Sequence, residues 1–189
     1  IKTVPKSYDL YNRDGDFITI GGGRTVYEAC YGPIYVRQGD KLEPSTHEHL
    51  VNFHKLNETS KVIDISDPYV LDVSYVDPKV RQQYALGVAL KYCKKPLDGI
   101  VLGGEQTVRD CLEAMQQFYG TKEKTILTGM ACTVGPMQMA EDMCEAVKVL
   151  SAANQAVLFV SGVTLGASGP QTMAGAYTIG NAMVLAGIV

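Results

Sequence analysis

The chain repeats a unit in which a short apolar strand is followed by a loop of small residues and then by an amphipathic helix. The clearest copy starts with Lys124–Gly129, and others start near Val62, Gly99 and Ala156. Aliphatic and β-branched runs closed by Gly, Ser or Pro are typical of buried strands. Successive strand–helix units predict parallel strands joined by crossover helices, with the chemistry on the loops that follow the strands.

Four such units predict an α/β architecture, the first half of a (β/α)8 TIM-type barrel preceded by a small β annex. The predicted strands cover 62–65, 99–102, 124–127 and 156–160, and the helices cover 78–93, 107–119, 139–153 and 171–189. An open doubly wound sheet would show the same pattern, but no Gly-rich nucleotide fingerprint follows the first strand. The last helix ends inside an apolar run, which favours a fragment of a longer polypeptide.

The segment before these units has a different character. It predicts a β-hairpin around Asn12–Asp16 and then a tyrosine-rich extended segment over 26–36. A helix is expected from about 44 to 60, with Ser45 or Thr46 as its N-cap. The predicted divisions are an annex over 1–43, a connecting helix over 44–61 and the four units over 62–189.

All three histidines of the chain lie in that connecting helix: His47, His49 and His54. A helix that binds a metal ion presents ligands three or four residues apart, whereas these are two and five apart. The spacing therefore indicates surface histidines and no metal site.

Composition narrows the classes of function. The net charge is -3 and the basic residues are scattered, which argues against a nucleic-acid partner. The five cysteines form no CxxC pair, so neither a zinc ribbon nor a disulfide framework is indicated, and a reducing, cytoplasmic location is expected. The sequence contains no uninterrupted apolar stretch of about 18 residues, so it predicts no membrane span.

The candidate binding residues are those predicted to follow the four strands: Asp67, Glu105, Thr128, Met130, Cys132, Ser161 and Thr164. Asp67 and Glu105 can each balance a substrate cation, or can instead stabilise the first turn of the next helix. Hydroxyls after the fourth strand can bond a carboxylate. Cys132 has no histidine nearby in the sequence, which favours a packed thiol over a nucleophile.

Tyr31 is a further candidate, because Tyr27, Tyr31 and Tyr35 fall on one face of the predicted extended segment. Such a stripe can form an aromatic wall for an ammonium group. It can equally be the half-buried face of a sheet, which is the commoner role of tyrosines in strands.

Three segments resemble the trimethylamine methyltransferase family, the corrinoid-dependent group that includes trimethylamine, glycine betaine and other quaternary amine demethylating enzymes. They read YDLYNRDGD…ITIGGGRTVY, LTGMACTVGPMQMAEDMCEAV and VLFVSGVTLGASGPQTMAGAYTIGNAMVLAGIV, in one collinear order. The resemblance implies that this chain is an N-terminal part of a barrel that transfers a methyl group from a small methylated amine. The acceptor it implies is the Co(I) of a corrinoid (cobalamin) held by a partner protein, with no cofactor bound by this chain and no catalytic residue assigned.

Two other classes of protein stay open from the residues. Another barrel enzyme, such as an aldolase or a phosphate-binding lyase, calls for a lysine at a strand end or a late Gly-rich loop. A non-catalytic, truncated barrel is the third reading. Open strand edges on a half-barrel would favour self-association, so a homo-oligomer is expected.

Overall fold

The structure is a computed structural model, and it describes residues 5–99, 104–135 and 137–188. Its strands are β1 (Ser7–Tyr11), β2 (Phe17–Gly21), β3 (Tyr35–Gln38), β4 (Lys41–Pro44), β5 (Leu97–Asp98), β6 (Leu127–Gly135), β7 (Gln138–Met139) and β8 (Ala156–Val160). Its helices are α1 (His47–Thr59), α2 (Arg81–Tyr92), α3 (Gly104–Tyr119), α4 (Glu141–Ala152) and α5 (Met173–Ile188). This mixture of helices and several small sheets confirms an α/β protein.

Two antiparallel hairpins occupy the N-terminal part of the described chain. The pairing of β1 with β2 confirms the predicted hairpin. β3 and β4 form a second, unpredicted hairpin, which turns at Gly39. Thr46 then caps α1 by accepting a hydrogen bond from the His49 N–H at 3.3 Å, as one of the two predicted caps.

The predicted repeat units form one parallel sheet in the order of the chain. β6 pairs with β5 on one side and with β8 on the other, both in parallel. Single parallel bridges extend the sheet from Leu97 to Ser66 and from Ile65 to Glu28. Each strand of the repeat therefore lies beside the next one in sequence, with no crossing of the order.

The bounds of the first two strands differ from the predicted ones. The segment predicted as a strand over 62–65 forms a bridge only at its last residue. The Lys95 Nζ donates hydrogen bonds to the carbonyls of Ser60 and Ile63 before it. The second strand lies at Leu97–Asp98, and 100–102 of its predicted range fall outside the described residues.

The third strand starts later and runs further than predicted. The Gln155 Oε1 accepts hydrogen bonds from the N–H groups of Ile126 and Leu127, and its Nε2 donates to the Lys124 carbonyl. One side chain thus satisfies the backbone where strand pairing was expected. The residues predicted as a loop from Met130 onwards continue β6 as far as Gly135, while the predicted fourth strand is confirmed as β8.

The helices cover the outer face of this sheet and build the larger core. The buried residues of α3 are the four predicted for its apolar face: Val108, Cys111, Leu112 and Met115. They pack with Leu97 of β5 and Leu127 of β6 in one cluster. α5 differs, because it carries no charged residue and yet leaves Tyr177, Leu185 and Ile188 exposed.

The interpretation of the histidines as surface residues is wrong for two of the three. His49 and His54 are buried in α1, and only His47 is exposed. Burial lowers the pKa of His54 to about 4, so its ring is neutral near pH 7.

In the part of the chain that the structure describes, no helix combines the length and the apolar character needed to cross a membrane.

Candidate functional site

The parallel sheet aligns three polar side chains in one row across its inner face. Asp98 on β5 pairs with Thr128 on β6, and Thr128 pairs with Ala156 on β8. Because Ser66 pairs with Leu97, Asp67 stands level with Asp98 on the neighbouring strand. Side chains alternate between faces along a strand, so these residues point away from the helices that pack on Leu97 and Leu127.

Glu28 joins this row from the segment that pairs with Ile65. The two carboxyl groups of Glu28 and Asp98 are close enough for each to affect the pKa of the other. Neighbouring carboxyl groups can share a hydrogen bond only when one of them carries a proton. We call Glu28, Asp67 and Asp98 the carboxyl row.

Asp67 is the most deeply placed member of the carboxyl row, with 0% of its surface exposed. Its Oδ1 accepts a hydrogen bond from the Tyr69 N–H, whereas its Oδ2 has no hydrogen-bond partner in the described chain. The Oδ2 lies against Gly99, where an added Cβ would overlap it. The end of β5 is therefore shaped around this carboxylate.

Burial without a cationic partner raises the pKa values of the carboxyl row. Burial is the main reason why the pKa of Asp67 is raised, to about 8. The hydrogen bond from the Tyr69 N–H lowers this pKa in part, and the charges of Asp98 and Glu28 raise it further. Burial and the neighbouring Glu28 raise the pKa of Asp98 as well, and burial raises that of Glu28. Among the described residues, no Lys or Arg forms a salt bridge with any of the three.

Tyrosines surround the carboxyl row. Tyr31 contacts Tyr69 edge to face, with ring centroids 6.3 Å apart. Burial and the charge of Asp67 raise the pKa of the Tyr31 hydroxyl, so it stays neutral near pH 7. The Tyr8 hydroxyl from β1 lies 3.3 Å from the Thr128 Oγ1. Tyr31 is about half exposed, so its ring is accessible beside the row.

Several predicted site residues are thus brought together. Asp67, Thr128 and Tyr31 lie in or beside the row. Cys132 lies on the same face of β6 as Thr128, four residues further along the strand. Burial and the charge of Asp98 raise the pKa of the Cys132 thiol, which agrees with an un-ionised, packed thiol. Met130 lies between Thr128 and Cys132 on that face and is half-buried.

Three predicted site residues point elsewhere. Glu105 is exposed in the first turn of α3 and forms a salt bridge with Arg109 at 2.6 Å. The Ser161 hydroxyl faces α5, since a Cβ added at Gly180 would lie 3.0 Å from its Oγ. Thr164 is exposed in the loop after β8, where its N–H donates to Ser168.

Glu28 and Asp98 were not predicted. Asp98 is the last residue of the observed strand β5, but it stands directly before the strand predicted at 99–102. The predicted bounds therefore left this carboxylate outside the strand instead of at its carboxyl end. An Asp that is followed by Gly at the end of an apolar strand was the signal for it. For Glu28 the signal was weaker, because only its pairing with the strand at Ile65 brings it to the row.

Comparisons of the sequence with known proteins point to one family. The family model described as trimethylamine methyltransferase (MTTB) matches residues 1–189. The chain is 29% identical over its whole length to a glycine betaine methyltransferase of Desulfitobacterium hafniense, of which it covers 40%. It is 24% identical over its whole length to a proline betaine:corrinoid methyltransferase of Eubacterium limosum, of which it covers 41%.

A third relative, an L-carnitine:corrinoid methyltransferase of Eubacterium limosum, is 25% identical over 72% of this chain, which covers 30% of that protein. The chain therefore spans about two fifths, or less, of the curated relatives that it matches. The match along all 189 residues shows that this chain belongs to the trimethylamine methyltransferase family.

Proposed function

We propose that the protein transfers a methyl group from a methylated amine, such as trimethylamine or the quaternary amine glycine betaine, to the Co(I) of a corrinoid carried by a partner protein. We assign the positively charged nitrogen of the substrate to the carboxyl row. One observation carries this assignment: two buried carboxylates, Asp67 and Asp98, each have an oxygen without a partner in the described chain. Buried carboxylates without a counter-charge are costly, so a cationic ligand is the species that such a site attracts.

The energies are sufficient for a small cation. A carboxylate 4 Å from a unit positive charge contributes about 4 kcal/mol at an effective dielectric constant of about 20. The ring of Tyr31 adds about 0.5–2 kcal/mol if the ammonium contacts its face. Together these terms offset the dehydration of a methylated ammonium, which is weakly hydrated because its charge is covered by methyl groups.

The chemistry assigns this chain the tasks of binding and orientation. The corrinoid supplies the Co(I) electron pair that forms the new bond to the methyl carbon, while the electron pair of the broken C–N bond stays on nitrogen. The carboxyl row fixes the nitrogen, so that one methyl group can face the approaching partner. The Tyr8 hydroxyl lies within hydrogen-bond distance of Thr128, the neighbour of Asp98 on β6.

We also propose that the parallel sheet is the first half of a (β/α)8 barrel. Its strands follow one another in chain order with parallel pairing, which such a barrel requires. Leu158 and Val160 of β8 are exposed on the face that carries the row, as expected for the inside of a barrel whose other half is absent from this chain. In this arrangement Asp98 lies at the carboxyl end of β5, the kind of position where barrel enzymes place site residues, and it is level with the starts of β6 and β8.

The test is a methyl-transfer assay with the protein, a reduced corrinoid protein and a panel of amines. The panel consists of trimethylamine, tetramethylammonium, glycine betaine and 3,3-dimethylbutanoate, the isostere of glycine betaine in which carbon replaces the charged nitrogen. We expect the absorbance change of methylcobalt formation with at least one N-methylated cation and none with the isostere. No change with any amine, or tight binding of Mg²⁺ or Ca²⁺ at the row in place of an amine, would contradict the proposal.

A further inference from the structure

We propose that the carboxyl row holds a proton when the site is empty and exchanges it for the fixed positive charge of the substrate. This inference rests on the proposed function and adds a second role for Asp98 and Glu28, which keep the charge of the site nearly constant. The substrate class it favours is a quaternary ammonium, whose charge does not depend on pH.

The geometry of the row supports the bound proton. Asp67 and Asp98 stand level on neighbouring parallel strands, and neighbouring strands lie about 4.8 Å apart. Both residues are almost fully buried, and each has a carboxyl oxygen without a hydrogen-bond partner in the described chain. Two desolvated carboxylates at this spacing cannot both be ionised at low cost, so one of them holds a proton when no cation is bound.

The other titratable groups around the row do not supply a competing positive charge. Tyr31 and Cys30 come from the segment beside Glu28, Tyr69 from the loop after Asp67, Tyr8 from β1 and Cys132 from β6. Burial raises the pKa of each of these groups, so all five are neutral near pH 7. The proton equilibrium of the site therefore belongs to the three carboxyl groups.

The exchange balances charge in both directions. When a quaternary ammonium binds, one proton leaves the row for the buffer and the freed carboxylate faces the nitrogen. When the methyl group leaves, the nitrogen keeps the electron pair and becomes a neutral amine. The row then takes a proton back from solvent, so it is not left with an unpaired charge. Tight binding of a cation otherwise opposes a reaction in which that cation loses its charge, and the returning proton lowers this penalty.

The experiment is calorimetry of tetramethylammonium binding to the protein, in phosphate and in Tris buffers, from about pH 6 to about pH 9. The two buffers differ in ionisation enthalpy, so the difference in heat reports the protons released. We expect release of about one proton per bound cation near pH 6.5, falling toward zero near pH 9. The affinity should rise roughly tenfold per pH unit below the pKa of the row and level off above it.

Two variants locate the proton. Asp98→Asn and the more exposed Glu28→Gln each remove one carboxyl group of the row, and both should reduce the proton release near neutral pH. Glu105→Gln, an exposed acid that pairs with Arg109 outside the row, should leave the release unchanged.

The outcomes separate this inference from the proposed function. Binding without proton release, at an affinity that is constant between about pH 6 and pH 9, would overturn the inference and leave the function standing. Proton release that survives in both row variants would overturn it as well. Absence of binding at every pH would overturn the function and the inference together.

Discussion

We expect Asp67→Asn to raise the KM for a quaternary ammonium substrate by roughly a hundredfold to a few thousandfold, with a much smaller change in kcat. Removing one partner of a buried ion pair costs about 3–5 kcal/mol, and each 1.4 kcal/mol is a factor of ten. The pairing exists before the methyl group moves and weakens as the nitrogen loses its charge, so the loss falls on binding. Steady-state kinetics with a saturating corrinoid protein would measure both constants.

The isosteric amide makes this variant informative. Its oxygen can still accept the hydrogen bond from the Tyr69 N–H, so the loop after Asp67 is preserved. Glu105→Gln is the matched control, because it removes an exposed carboxylate that lies outside the carboxyl row. An unchanged KM in Asp67→Asn, or an equal rise in Glu105→Gln, would contradict the assignment of the row.

The stability of Asp67→Asn separates loss of binding from loss of fold. The pKa of Asp67 is higher in the folded protein than in the unfolded chain, so the folded state binds the proton more tightly. The contribution of Asp67 to stability is then full below about pH 4 and is lost as the pH rises toward about 8. The amide avoids this loss, so the variant should resist denaturant at least as well as the wild type at pH 8.

Gly99→Ala should destabilise the protein by about 2–4 kcal/mol and weaken cation binding at the same time. Gly99 has a φ of +94°, which L side chains rarely adopt, and its added Cβ would overlap the Asp67 carboxylate. The carboxylate sits in a packed interior and cannot retreat without moving the Asp67 backbone. Urea denaturation gives the stability, and calorimetry with tetramethylammonium gives the affinity.

Gly15→Ala is the control that isolates the steric part of this effect. Gly15 has nearly the same φ, +90°, but nothing lies within 4 Å of its added Cβ. Its substitution should therefore cost only the backbone strain, about 1–2 kcal/mol, and leave cation affinity intact. Equal losses of stability in the two variants, with no loss of affinity in Gly99→Ala, would show that the end of β5 is not shaped around Asp67.

The order and parallel pairing of the strands could be predicted because they follow from the repeat itself. Strand-loop-helix units of this length leave few arrangements, and the helix faces are set by periodic apolar residues such as Val108 and Met115. Asp67 was predicted as a site residue because Ser, Asp and Pro end its strand visibly. The alternation along β6 likewise places Thr128 and Cys132 on one face once the strand is known.

The remaining features depend on contacts between distant residues. The start of β6 is set by the side chain of Gln155, which binds the backbone at Ile126 from 29 residues away. The burial of His54 follows from packing of α1 rather than from its local sequence. Asp98 and Glu28 become site residues only through strand pairing, which a local pattern of residues does not specify.

The most direct test of the carboxyl row is to locate a bound onium ion in a crystal of the protein. Tetramethylarsonium mimics a quaternary ammonium, and its arsenic atom gives an anomalous signal. We predict one anomalous peak within about 4–6 Å of the carboxylates of Asp67 and Asp98, the range over which opposite charges interact strongly. A peak elsewhere, or none at a concentration that saturates binding in solution, would contradict the account.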